Sequence, residues 1–252
     1  MFVAASTNCF HDLEFDNAVE KILDLEFSAI ELNLDENGSH IKPSEVLADF
    51  DAAIDRCSST RRLNVVGYDL NITSEGAEYM DTFPECCKLA KATKVVSITV
   101  RSGEHGTPFN EEVEKLKKMV DIADAHGVRV GIRSEVGHLS ADPDTVSVIC
   151  SHVKGLGLSL DPTHYVYKAE RNLNYDKLLG YVQTVYLRDS TKEDKQVRVG
   201  QGIIDYGKLI NQLRKTSYKR ALVVDIDSQN DETDHMGEMR KMRLLLESLL
   251  VC

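Results

Sequence analysis

The chain has 252 residues, 42% of them hydrophobic, and a formal net charge of −11. That length can bury a full core as one large domain or two small ones, and the acidic balance argues against a sequence-independent grip on nucleic acid or anionic lipid, which both need a basic surface. No apolar run approaches the length that spans a bilayer, so the expectation is a soluble cytoplasmic protein without nucleic-acid or membrane partners.

The opening MFVAASTNCF has neither a basic n-region nor a long apolar core, so it reads as a first strand rather than a secretory signal. From there a strand followed by a helix recurs roughly every thirty residues. The candidate strands are 2–6, 28–32, 63–68, 95–100, 128–135, 157–161, 184–188 and 221–225. Eight is the number that closes a parallel barrel. No proline-rich, Gly/Ser-rich or low-complexity linker divides the chain, so residues 1–252 are expected to form a single (β/α)8 TIM barrel of the α/β class. An open, doubly wound sheet would usually bring a glycine-rich phosphate loop after the first strand, and ASTNCF has none. The GQG at 200–202 follows a loop and is a weak dinucleotide signature.

Between the strands, Asn110 is placed to cap EEVEKLKKMVDIADAHG, with acids in its first turn and Gly127 as the stop. Pro143 and Gly155 bracket a second helix, Asp205 opens YGKLINQLRK, and a last helix runs from about Glu232 to Leu250. Connections from Asp35 to Lys42 and from Asp189 to Gln201 would overhang the mouth of a barrel. The six cysteines, at 9, 57, 86, 87, 150 and 252, include no CxxC pair and read as reduced thiols.

The chemistry gathers in the stretch from Gly127 to His164. Alternation puts Gly131, Arg133 and Glu135 on one face of the first strand, and Gly157, Ser159 and Asp161 on one face of the next. Glu135, Asp161 and Asp225 each fall at the carboxyl end of a strand, where a parallel barrel keeps its chemistry. Hard oxygen ligands with an imidazole nearby suit Mn²⁺, Mg²⁺ or Zn²⁺. Such an ion would hold the two oxygens of a hydroxy-ketone and acidify the proton between them. The plainer alternative is that these carboxylates pair with arginines or cap helices. His164, in DPTH, can reach the mouth as a ligand or substrate donor; His105 and His138 have similar positions in glycine-flanked loops. Arg101, Arg133 and Arg188 fall near strand ends and Arg198 precedes GQG. They either grip a carboxylate or phosphate of the substrate or neutralise the acids of the same cavity.

The segments FSAIEL, GIRSEVGH, LGLSLDPTH, VYLRDS with VRVGQGIIDYGKLI, and ALVVDID resemble successive blocks of the xylose-isomerase-like TIM-barrel superfamily of sugar-phosphate isomerases and epimerases. The resemblance implies a divalent metal held by carboxylates and a histidine, and two carboxylates that shuttle a proton beside a carbonyl. Carried over, Glu135 and Asp225 become the acid/base pair, and Glu135, Asp161 and Asp225 become metal ligands. His164 and Arg198 fall on the substrate, with Arg133 and Arg188 lining its site. The substrate implied is a small carbohydrate-like molecule that can carry an anionic group, and barrels of this kind often pair as homodimers.

Three positions depart from the pattern. Tyr186 stands in YLRD where the family has a histidine ligand, Asp225 replaces a longer glutamate, and Ile203 follows GQG in place of an acid. A phenol with an ordinary pKa near 10 is a poor ligand for a hard dication, so metal affinity should fall. The expectations are therefore a metal-assisted isomerase or epimerase, or a barrel with an altered metal site that acts as a lyase or a small-molecule binder. A phosphodiesterase like the abasic-site endonucleases comes last, because the histidine cluster is missing and the charge opposes DNA.

Overall fold

Eight parallel strands close into a barrel in sequence order. The computed structural model describes residues 1–169, 173–228 and 235–251. The strands are β1 Phe2–Ser6, β2 Ala29–Asp35, β3 Asn64–Asn71, β4 Ser97–Val100, β5 Arg129–Arg133, β6 Gly157–Leu160, β7 Val182–Leu187 and β8 Ala221–Val224. The seam pairs β1 with β8 from Phe2 opposite Ala221 to Ala5 opposite Val224. All eight expected strands form, but β2 and β3 run three residues past their expected ends. Their register continues to Asp35 opposite Asn71, where the Asn71 side chain donates to Asp35 Oδ1 at 3.1 Å. The extension puts Asp69 inside β3.

The alternation in β5 and β6 sorts as its polarity dictates. Val130, Ile132, Leu158 and Leu160 pack under the helices in the main apolar core. The other face lines the barrel. There Thr99 and Ser159 hydroxyls meet at 2.8 Å, and Ala4, Ala29, Tyr186, Ala221 and Val223 form a small separate cluster. Gly131 and Gly157 are small because the Gln183 side chain fills their place: a Cβ would come within 2.3 Å and 2.6 Å of it.

Helices cover the outside: α1 Phe15–Asp24, α2 Pro43–Ala48, α3 Phe50–Ser58, α4 Gly76–Ala92, α5 Phe109–Ala125, α6 Pro143–His152, the short α7 Thr163–Val166, α8 Tyr206–Lys215 and α9 His235–Val251. Asp142 and Asp205 cap α6 and α8 by accepting from Thr145 N and Lys208 N. Asn110 does not cap α5; the helix begins two residues earlier than expected, after Pro108, and Asn110 lies in its first turn. Gly127 and Gly155 follow their helices with φ of 73° and 93°, the left-handed stop that glycine tolerates. The expected start of the last helix at Glu232 lies outside the described residues. Cys9, Cys57, Cys86, Cys87 and Cys150 are buried free thiols; Cys252 lies outside the described residues. Among the described residues no helix is long and apolar enough to cross a membrane.

The connection after β7 is tied down by a buried carboxylate. Asp189 Oδ2 accepts from Gly200 N at 2.7 Å and Gly202 N at 3.1 Å, and Oδ1 accepts from Ser190 N. GQG is therefore a carboxylate-bound turn. A Cβ on Gly202 would sit 1.9 Å from Asp189 Oδ1 and 2.6 Å from Ser190 O. Gly202→Ala should cost about 1–3 kcal/mol as an overpacking change, seen as a lower urea midpoint; an unchanged midpoint would show that this turn relaxes freely.

Candidate functional site

Three arginines and four carboxylates meet at the carboxyl end of the barrel. Arg133, the last residue of β5, donates from Nη1 to Asp69 Oδ2 at 2.8 Å. Its Nη2 donates to Asp225 Oδ2 and lies 3.4 Å from Asp161 Oδ2. Arg188, one residue past β7, sends Nη2 between the same two carboxylates, 3.0 Å from Asp161 Oδ2 and 2.7 Å from Asp225 Oδ2. Asp69, Asp161, Asp225, Arg133 and Arg188 are buried and form the floor of the mouth. Asn8 Nδ2 donates to Asp225 Oδ1 at 3.2 Å, and the Asn33 amide donates to Asn8 Oδ1 at 3.4 Å.

Arg101 and Glu135 stand on the open side. Both terminal nitrogens of Arg101 bond to Asp69, and its Nε lies 3.1 Å from Glu135 Oε2. That approach lacks hydrogen-bond alignment, so Glu135 Oε2 is left without a hydrogen-bond partner. The two side chains keep 24% and 30% of their surface exposed, whereas those of Arg133 and Arg188 keep 6%. A cavity of about 680 Å³ opens beside Arg101, with Asn71, Ser102, Glu112 and Lys115 in its wall.

The charges fix the protonation states. Burial alone would raise the Asp225 carboxyl, but Arg188, Arg133 and the Asn8 hydrogen bond outweigh it and hold it well below the usual range. Burial likewise opposes ionisation of Asp161, and Arg188, His164 and Arg133 turn the balance downward. His164 is pushed down to about 4, by burial first. Its Nδ1 accepts from Val136 N at 3.0 Å, which puts the proton on Nε2, 3.6 Å from Asp161 Oδ2.

Tyr186 supports this floor from below. Its ring lies 4.0 Å under the Arg133 guanidinium, a cation–π contact. Its hydroxyl donates to Glu31 Oε1 at 2.9 Å and lies 2.9 Å from Thr99 Oγ1. Burial, then the charge of Asp69, raise the Glu31 carboxyl well above its usual value.

The sequence-derived candidates divide. Arg133, Arg188, Asp161, Asp225 and His164 do come together, and Glu135 joins them through Arg101 and Asp69. Arg198 does not; its side chain is exposed in the loop after β7. His105 is exposed and His138 is half-buried with Nδ1 unpaired. His164 is a buried residue that braces Asp161 and the turn at Val136, which corrects its expected place on the substrate. Arg133 and Arg188, expected on the substrate, are committed to the acids.

The expected metal set does not fit either. Among the described residues no group of three or more His, Cys, Asp or Glu side chains is placed to hold an ion. Arg188 and Arg133 occupy the oxygens of Asp161 and Asp225, and Glu135 turns to Arg101. A dication between these acids would also face two guanidiniums at contact distance. Asp225 is correspondingly not the free acid/base expected of it. Asp69 was missed because the expected strand stopped at Tyr68; the polar alternation Gly67, Asp69, Asn71 was its signal. Nothing in local sequence singled out Asn8 or Asn33, whereas Glu31, in FSAIEL, was legible as an acid of the same cavity.

A family model described as xylose isomerase-like TIM barrel matches residues 19–245. No curated protein matches the sequence significantly. Among solved structures, a xylose isomerase domain protein from Planctomyces limnophilus superposes with a TM-score of 0.76 at 15% identity, covering 99% of this chain and 96% of that one. A probable 3-DHS dehydratase from Bacillus anthracis gives 0.74 at 14% identity, covering 96% and 98%. D-psicose 3-epimerase from Clostridium cellulolyticum H10, solved with D-tagatose, gives 0.75 at 13% identity, covering 100% of both chains. At these identities the structural likeness is one of fold.

Two substitutions test the floor. Because the folded protein holds His164 near 4 against a reference of 6.5, the unfolded state binds the extra proton between those values. Stability is full above the unfolded pKa and falls as pH drops, by up to about 3 kcal/mol from this group. His164→Gln should flatten the urea-stability curve between those pH values, and parallel curves would refute the assignment. Asp225→Asn strips a carboxylate from two buried guanidiniums and should cost about 3–5 kcal/mol at neutral pH, measured by the same titration.

Proposed function

Because the chain belongs to the xylose isomerase-like TIM barrel family, we propose that it moves a proton on the carbon beside a carbonyl of a small carbohydrate-like substrate, with Glu135 as the base and no resident divalent ion. The observation that carries this reading is the seating of Arg133 and Arg188 on Asp161 and Asp225. A dication would supply a fixed positive field at the substrate's oxygens. Here guanidiniums supply the positive field, in a rigid floor that needs no reorganisation when charge develops.

Glu135 is suited to the base because its side chain is partly exposed and has no hydrogen bond to break, although Oε2 itself is buried against Arg101. Arg101, bridging Asp69 and Glu135, has N–H bonds left on both terminal nitrogens. They are available to a carbonyl oxygen that gains negative charge as the proton leaves. Asn8, half-exposed beside Asp225, offers amide groups to substrate hydroxyls.

With Asp225 locked into ion pairs, the opposed carboxylate pair that a two-base inversion uses is reduced to Glu135. One base serves an isomerisation, in which it returns the proton to the neighbouring carbon, or an elimination, in which it passes the abstracted proton to a departing β-hydroxyl that leaves as water. We therefore favour isomerase or lyase chemistry over epimerisation. The commitment of Arg101, Arg133 and Arg188 to carboxylates favours a neutral substrate over an anionic one.

The test is solvent exchange. Protein purified without chelator is incubated in D2O with a panel of aldoses and ketoses, and deuterium at carbon is followed by NMR alongside elemental metal analysis. We expect exchange that EDTA leaves unchanged, metal content well below one ion per chain, and a loss of about 10²–10⁴-fold in Glu135→Gln with folding retained. One tightly bound divalent ion per chain, or full exchange in Glu135→Gln, would overturn the reading.

A further inference from the structure

The opposite end of the barrel holds a second cavity that the proposed chemistry does not use. It has a volume of about 280 Å³, and Lys94, Arg129, Lys219, Arg220, Glu31 and Gln183 lie in its wall. The placement follows from topology. Lys94 ends the turn before β4, Arg129 opens β5, and Lys219 and Arg220 lead into β8, so the αβ turns bring all four cations to the amino-terminal rim. In a chain with a net charge of −11, this is a local reversal of sign. Among the described residues none of the four side chains has a hydrogen bond or ion pair. Glu31 is the acid in the wall.

Two buried polar atoms in this wall also lack partners. Gln183, 5% exposed, leaves Nε2 without an acceptor, and Glu31, 1% exposed, leaves Oε2 unpaired. Burial, then Asp69, raise the Glu31 carboxyl well above its usual value, and its Oε1 accepts from Tyr186. The Arg129 guanidinium is held below its ordinary value by burial and then by the charge of Arg220, so a negative group between these cations would relieve a standing repulsion.

We propose that the amino-terminal end of the barrel binds the phosphoryl group of a small metabolite, with Arg129 and Arg220 gripping its oxygens and Lys94 and Lys219 at the rim. A phosphoryl dianion fits better than a single carboxylate because it offers several acceptor oxygens to guanidinium forks and two charges to four cations. The cavity leaves room for the rest of a small molecule. This site is distinct from the Glu135 mouth and does not depend on the chemistry proposed there.

The experiment compares inorganic phosphate with chloride at matched ionic strength, by thermal melting and titration calorimetry, on wild type, Arg101→Gln and the double variant Arg129→Gln/Arg220→Gln. Phosphate should raise the melting temperature of wild type and Arg101→Gln beyond the chloride effect. The double variant should bind phosphate about a hundredfold more weakly, and without phosphate it should melt no lower than wild type. A phosphate effect equal to that of chloride, or one that survives in the double variant, would overturn the proposal. If the double variant does not fold, Lys94→Gln/Lys219→Gln, which alters exposed side chains, should weaken phosphate binding about tenfold. Unchanged affinity there would also overturn it.

Discussion

The contact on which the mouth depends is the shared grip of Arg133 and Arg188 on Asp161 and Asp225. Four buried ions in a protein interior cost several kcal/mol each in lost hydration, and their mutual attraction offsets that only when the geometry satisfies them. Here almost every oxygen and guanidinium arm is engaged: Asp69 takes two arginines, Asp225 adds the Asn8 amide, and Asp161 caps Thr163 N and faces the His164 imidazole. Removing one member leaves the others uncompensated. The floor is therefore an all-or-nothing assembly, and it fixes the ends of β3, β5, β6, β7 and β8 relative to one another.

Tyr186 makes sense in the same terms. A neutral phenol contributes little to a divalent cation, but its ring face suits a flat guanidinium, and its length carries the hydroxyl down to Glu31 and Thr99. The tyrosine and the arginine above it act as one unit. Arg133 stands over the ring, so the positive charge of this floor is part of the polypeptide.

Much of the fold was legible because period-two polarity survives in a barrel whose inner face is partly polar. Gly131 with Arg133 and Gly157 with Ser159 faced inward as their alternation required, and the helix stops at Gly127 and Gly155 fell where left-handed backbone was needed. The strand-end acids were also legible, since a barrel gathers strand ends. Their partners were not. Whether Arg133 meets a substrate or Asp225, ninety-two residues away in the chain, depends on side-chain reach across the ring, which no local pattern encodes. Arg198 shows the opposite limit: its position before GQG suggested the site, yet that turn is organised by Asp189 and sends the arginine to solvent.

Closure of the ring has a consequence for the order in which the molecule comes into being. The seam joins the first strand to the last, and Asp225 follows directly on β8. During synthesis, β1 and β7 present open edges until residues 221–224 leave the ribosome. Over the same interval Arg133 and Arg188 lack the acid that both of them grip. Joining the two ends of the chain thus completes the wall and neutralises the floor in one event, so a half-made barrel is both sticky along its edges and electrostatically incomplete at its centre. The charged mouth of the barrel exists only once the last strand has met the first.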